Sequence, residues 1–127
     1  MQALIIDDSR AMRSILRRIV TGLGWTTAEA GDGQEALDLL EGGLVPDLCL
    51  IDWNMPVMDG YTFVQRVRAE QRWRDVTLMM VTTESEHGQI VRALAAGAHE
   101  YVIKPFTAEA IVEKLGLLGL LDQEVPA

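Results

Sequence analysis

Leu48-Cys49-Leu50-Ile51-Asp52 is the stretch that decides the fold. Four apolar residues in a row stop at a carboxylate, without the alternation of a strand that has one wet face. Such a run suits a strand covered on both faces of a sheet. The chain opens the same way, with Ala3-Leu4-Ile5-Ile6 running into Asp7-Asp8. The pattern returns at Val76 to Val81, which ends at Thr82-Thr83, and at Tyr101-Val102-Ile103, which ends at Lys104-Pro105. A further strand, Trp25 to Glu29, is richer in Thr and less apolar.

Amphipathic stretches fill the gaps. Met12, Ile15, Leu16, Ile19, Val20 and Leu23 fall at helical spacing, with Ser9 as cap and Gly22 or Gly24 as stop. The turn Gly31-Asp32-Gly33 leads into a short helix over Gln34 to Leu40, and the loop Asn54 to Gly60 leads into a third helix marked by Phe63, Val64 and Val67. Ile90, Val91, Leu94 and Ala95 mark a fourth, closed by Gly97. Thr107 caps a fifth, which carries Ile111, Val112, Leu115 and Leu118. Five strand–helix alternations predict an α/β domain with a five-stranded parallel sheet, doubly wound by five helices. The domain is expected over residues 1–121, with 122–127 as a short tail.

A length of 127 residues suits one domain with one core. The only cysteine, Cys49, lies inside an apolar run, which excludes a disulfide scaffold and a cysteine-based zinc site. A net charge of −8 argues against binding nucleic acid. No apolar stretch approaches the roughly 18 residues of a membrane span, and no basic region precedes a long apolar core at the N-terminus. A cytoplasmic location is the resulting expectation.

In a doubly wound sheet the ligand site lies beyond the carboxyl ends of the strands. Those ends deliver Asp7 and Asp8, Asp52, Thr82 and Lys104 to one rim. Three carboxylates brought together repel, each pair by roughly 4 kcal/mol at ~4 Å and an effective dielectric near 20. Such a cluster holds protons at raised pKa or binds a cation. Oxygen ligands without His or Cys select a hard metal, Mg²⁺ first. A loop that begins Asp7-Asp8 would repel a bare phosphate, so a phosphoryl group must arrive with the metal.

At these positions the chain resembles the receiver domain of bacterial two-component response regulators, along essentially its whole length. Asp52-Trp53-Asn54-Met55-Pro56, Met58-Asp59-Gly60 and Lys104-Pro105-Phe106-Thr107 are especially similar to single-domain, CheY-like chemotaxis receivers. The resemblance implies the flavodoxin-like strand order 2-1-3-4-5. It implies Asp52 as phosphoacceptor and Asp7, Asp8, Asp52 and the Asn54 carbonyl as the Mg²⁺ site. Thr82 and Lys104 would hold the phosphoryl oxygens, and Tyr101 would be the switch aromatic. Lys104–Pro105 is expected to be cis. Asn54 and Glu84 match positions that tune dephosphorylation, while Thr83 would narrow access to Asp52.

The implied partners are a sensor histidine kinase and a target protein on the face of helix four, strand five and helix five. The implied product is a stand-alone messenger, monomeric or weakly dimeric when activated. Leu115, Leu117, Leu118, Leu120 and Leu121 exceed one buried stripe, so some are candidates for the partner-facing side. Trp53 either senses the site or covers it, and Trp25, Trp73, Met55 and Met58 read as packing residues. His87 and His99 have no partner at metal spacing, and Arg10, Arg13, Arg17 and Arg18 read as a solvated helix face. The alternatives are a pseudo-receiver, a metal-dependent phosphatase with an aspartyl-phosphate intermediate, and a receiver fragment of a larger regulator with a lost output domain. The first is weakened because every site residue is present. The second needs an acid two residues after the nucleophile, where this chain has Asn54.

Overall fold

The computed structural model describes residues 1–83 and 87–121, and of residue 87 only the backbone. Five strands alternate with five helices. They are β1 (Gln2–Ile6), α1 (Arg10–Thr21), β2 (Thr26–Ala30), α2 (Gly33–Glu41), β3 (Leu48–Ile51), α3 (Gly60–Arg68), β4 (Thr77–Thr83), α4 (His87–Ala96), β5 (Glu100–Lys104) and α5 (Ala108–Leu117). The strands are all parallel and lie in the order β2-β1-β3-β4-β5. This is the expected doubly wound sheet. The glutamate at position 84, the side chain at position 87 and the tail over 122–127 lie outside the described residues.

Side-chain alternation divides the core in two. Ala3, Ile5, Leu48, Leu50, Met79, Val81 and Val102 pack against α1 and α5, with Leu16, Val20, Ile111 and Leu115. Leu4, Ile6, Cys49, Ile51, Leu78 and Met80 point to the other face and meet Leu37, Phe63, Val64 and Ala93 from α2, α3 and α4. Both faces of β1 and β3 are dry, so their sequences read as unbroken apolar runs.

Several boundaries differ from the expectation. β2 begins at Thr26, because Trp25 is drawn into the α1–α5 core. β4 runs on to Thr83 and β5 from Glu100 to Lys104, since Thr82 pairs with Ile103 and Thr83 with Lys104. A 3-10 turn at Gln71–Trp73, absent from the sequence reading, buries Trp73 ahead of β4. Of the five leucines near the last helix, Leu115 is buried, Leu118, Leu120 and Leu121 pack on the α1–α5 core, and Leu117 alone is largely exposed.

The solvated arginine face also needs correction. Arg13 Nη1 donates to the Asp7 carbonyl at 2.6 Å and its Nε to Glu29 Oε1 at 3.0 Å. Arg10, Arg17 and Arg18 are exposed as expected. His99 is an exposed packing residue whose Nδ1 accepts the Leu78 N–H at 3.1 Å. Among the described residues, no helix is long and apolar enough to cross a membrane.

Candidate functional site

The carboxyl ends of β1 and β3 are adjacent, and the backbone aims the aspartates just beyond them. The Asp52 N–H donates to the Ile6 carbonyl at 2.9 Å, and the Asp7 N–H to Ala30 at 3.1 Å, so each aspartate continues its strand by one bond. Asp7, Asp8 and Asp52 each bring one carboxylate oxygen within 4.8 Å of the others. Asp7 and Asp52 are buried, while Asp8 is exposed and leaves the cluster open to solvent.

The two oxygens of Asp7 are held on separate sides. The Ser9 N–H donates to Asp7 Oδ1 at 2.9 Å, while the Ser9 hydroxyl caps α1 by accepting from the Met12 N–H. Asp7 Oδ2 is left for Lys104, whose Nζ lies 3.2 Å from it and 3.2 Å from Asp52 Oδ1. Lys104 reaches them from the last residue of β5, just before the cis Lys104–Pro105 bond. One ammonium thus bridges two carboxylates that arrive on different strands.

The balance of charge remains negative. Burial pushes the Asp52 carboxyl up from 3.8 to about 6, and repulsion from Asp7 and then Asp8 adds to this. The charge and hydrogen bond of Lys104 pull the other way without prevailing. For Lys104 itself, burial disfavours the ammonium, but the Asp52 and Asp7 charges outweigh it and its pKa is raised. Three carboxylates against one lysine, with no His or Cys in the group, form an all-oxygen donor set open on the Asp8 side. Such a set fits a hard divalent cation of the Mg²⁺ kind, which keeps several waters.

The other expected residues fall into place unevenly. Thr82 is buried one residue short of the end of β4, between the strands that carry Asp52 and Lys104. Asn54 is exposed in the loop two residues beyond Asp52. Tyr101 is not brought to the carboxylates. It lies near the start of β5, half-buried, with Lys114 Nζ 4.9 Å from its ring centroid and that lysine paired to Glu100.

Three residues shape this geometry in roles not expected from the sequence. Arg13 clamps the Asp7 carbonyl to the end of β2 through Glu29, a tertiary contact without a local pattern. Gly60 opens α3 against the Asp52 backbone, and a Cβ there would collide with the Asp52 carbonyl. Its place after Asp59, which caps α3 by accepting from the Thr62 N–H at 2.8 Å, was the available clue. Val57 stands at φ 68° in the same loop, with the Met58 N–H donating to the Pro56 carbonyl at 2.7 Å. That is a three-residue γ-turn of the strained hand.

The family model described as the response regulator receiver domain matches residues 3–116. The chain belongs to the response regulator receiver family. It is 44% identical over 116 residues to the chemotaxis protein CheY of Pseudomonas aeruginosa, covering 91% of this chain and 93% of that one. Among solved structures, the chemotaxis response regulator CheY4 of Vibrio cholerae superposes with a TM-score of 0.85 at 31% identity, over 92% of this chain and 97% of its own. The receiver domain of a sensor histidine kinase from Pseudomonas aeruginosa, solved with a magnesium ion coordinated in its active site cleft, gives a TM-score of 0.82 at 26% identity. That match covers 91% of this chain and 94% of the other. This receiver is therefore a CheY-like signalling protein, and the phosphatase reading is not favoured.

Proposed function

We propose that this receiver takes a phosphoryl group onto Asp52 from a phosphohistidine of a sensor histidine kinase, and thereby switches a protein-binding surface in a chemotaxis-type pathway. The observation that carries the reading is the pair of bonds from Lys104 to Asp7 and Asp52 beside the open Asp8 carboxylate. The receiver unit is residues 1–121. The protein acts as a signalling phosphoacceptor that assists its own phosphorylation and dephosphorylation, in the cytoplasm.

Asp7, Asp8, Asp52 and the backbone carbonyl of Asn54 would hold the Mg²⁺ ion. When bound, it neutralises charge on the transferring oxygens. The rest falls to side chains of this chain. A carboxylate oxygen of Asp52, held by the strand it ends, attacks phosphorus in line. The new O–P bond forms as the phosphorus–nitrogen bond to the histidine breaks, and the imidazole leaves with its electron pair.

Lys104 exchanges its Asp52 oxygen for a phosphoryl oxygen while Asp7 keeps it aimed. The Thr82 hydroxyl donates to a second phosphoryl oxygen. The added charge of roughly −1 to −2 then favours a second arrangement of the Thr82 and Tyr101 side chains, and with it of the face made by α4, β5 and α5. Exposed Val91 and Leu117 give that face apolar anchors for a target protein. The protein is read as a monomer that gains a protein partner, and not DNA, when activated.

Incubation with acetyl phosphate and Mg²⁺ tests the reading. One phosphoryl mass should be added, and a chelator or the substitution Asp8→Asn should abolish it. Labelling that needs neither the metal nor Asp8 would overturn it.

A further inference from the structure

The residue next to Asp52 begins a stack that ends on α4. Trp53 is buried at 5% exposure, and its carbonyl accepts the Gly60 N–H at 2.9 Å. Its ring stacks on Tyr61 of α3, with centroids 5.4 Å apart and planes 24° from parallel. The Arg92 guanidinium of α4 lies 4.6 Å from the Tyr61 ring centroid. Arg92 is exposed. Three side chains thus join the Asp52 loop, α3 and α4 without passing through the sheet.

α4 is also held to α3 by Arg68, whose Nε donates to the Gly97 carbonyl just past the helix at 3.0 Å. Ile90 and Ala93 are its buried apolar residues, whereas Val91 is 68% and Leu94 38% exposed. A cation over an aromatic face is sensitive to where that face lies, so a shift of the Trp53 ring alters how α4 is held. An arginine on the solvent side of a half-buried ring adds little to the core. Its consequence is to make the seating of α4 depend on the loop beyond the phosphoacceptor.

We propose that Tyr61 and Arg92 are positioning residues that link Trp53 to α4, so that the state of Asp52 reaches α4 by a path separate from Thr82 and Tyr101. The proposal rests on the reading of Asp52 as phosphoacceptor. It treats α4 as an element with two seatings, both biased by the site.

The test labels the full chain with fluorotryptophan for ¹⁹F NMR and with ¹⁵N for amide spectra, then titrates it with beryllofluoride and Mg²⁺. In the parent protein the Trp53 resonance and the α4 amides of residues 91–96 should move with one midpoint. In Arg92→Ala and in Tyr61→Leu, Trp53 should still respond while the α4 shifts fall two- to five-fold, the range set by an exposed cation–π contact. Arg92→Lys, which keeps the charge at an exposed position, and Tyr61→Phe, which keeps the aromatic face, should restore them.

Full-sized α4 shifts in both disrupting variants, with Trp53 responding, would overturn the link. So would lysine and phenylalanine variants that behave like the alanine and leucine ones. If the parent showed no bound beryllofluoride resonance at all, the phosphoacceptor reading would fail first, and the link with it.

Discussion

Replacing Asp52 by Asn should stabilise the metal-free protein at neutral pH, although it removes the residue that does the chemistry. The buried Asp52 carboxyl is pushed from 3.8 to about 6, so the folded state holds this proton more tightly than the unfolded chain does. Stability from that group is therefore greatest below about pH 4 and is lost as the pH rises through about 6. A shift of about 2 units at about 1.4 kcal/mol each makes the ionised carboxylate cost at most about 3 kcal/mol near neutral pH, and solvent on the Asp8 side screens part of it. At about pH 4.5 the same linkage leaves about 1 kcal/mol.

The asparagine side chain would keep the shape and remove the charge, while Lys104 would retain Asp7 as partner. The gain in Asp52→Asn should thus be about 2–3 kcal/mol near pH 7.5, falling to about 1 near pH 4.5. Urea unfolding with a chelator present measures it. With a slope of about 1–3 kcal/mol per molar, the midpoint should rise by about 0.7–3 M near neutral pH. Mg²⁺ should raise the parent midpoint and leave the variant nearly unmoved. A variant less stable than the parent at neutral pH, or one whose gain is the same at both pH values, would refute the electrostatic reasoning.

Lys104→Met should raise the Asp52 pKa further, since Lys104 is what pulls it down, and should shift the acid limb of acetyl phosphate labelling to higher pH; a limb that stays in place would count against the bridge. Gly60→Ala should cost about 1–3 kcal/mol in urea unfolding, because the new methyl meets the Asp52 carbonyl. Val57 is 83% exposed at φ 68°, so Val57→Gly should gain about 1 kcal/mol in the same assay by relieving the backbone without loss of packing. Arg13→Ala should cost about 2 kcal/mol and slow labelling of Asp52, through release of the Asp7 carbonyl and Glu29.

The sequence carries the features that depend on local pattern. Leu48 to Ile51 and Ala3 to Ile6 are dry on both faces, so their burial is visible as unbroken apolar runs that end at the site. Ser9 and Thr107 announce the caps they make, at α1 and α5. β2 was less legible because it is an edge strand with half-wet faces, and the tryptophan before it is claimed by the core. Thr83 and Lys104 are polar and follow the apolar runs, so only the register between strands shows that they pair as the last residues of β4 and β5.

Arg13 reads as a solvated charge from helical periodicity, and Arg92 carries no local signal at all. Their partners, a carbonyl just past β1 and a ring on α3, are set by how elements pack and leave no mark at fixed spacing. The turn at Val57 was invisible for a different reason. Pro56-Val57-Met58 contains none of the residues that usually tolerate a positive φ.

The central claim is that Asp52 alone accepts the phosphoryl group. Its most direct measurement treats the protein with acetyl phosphate and Mg²⁺, reduces the acyl phosphate with borohydride, and maps the resulting homoserine by peptide mass spectrometry. The account predicts homoserine at position 52 and nowhere else. Homoserine at position 7, 8 or 59, or undiminished phosphorylation of the Asp52→Asn protein, would contradict it.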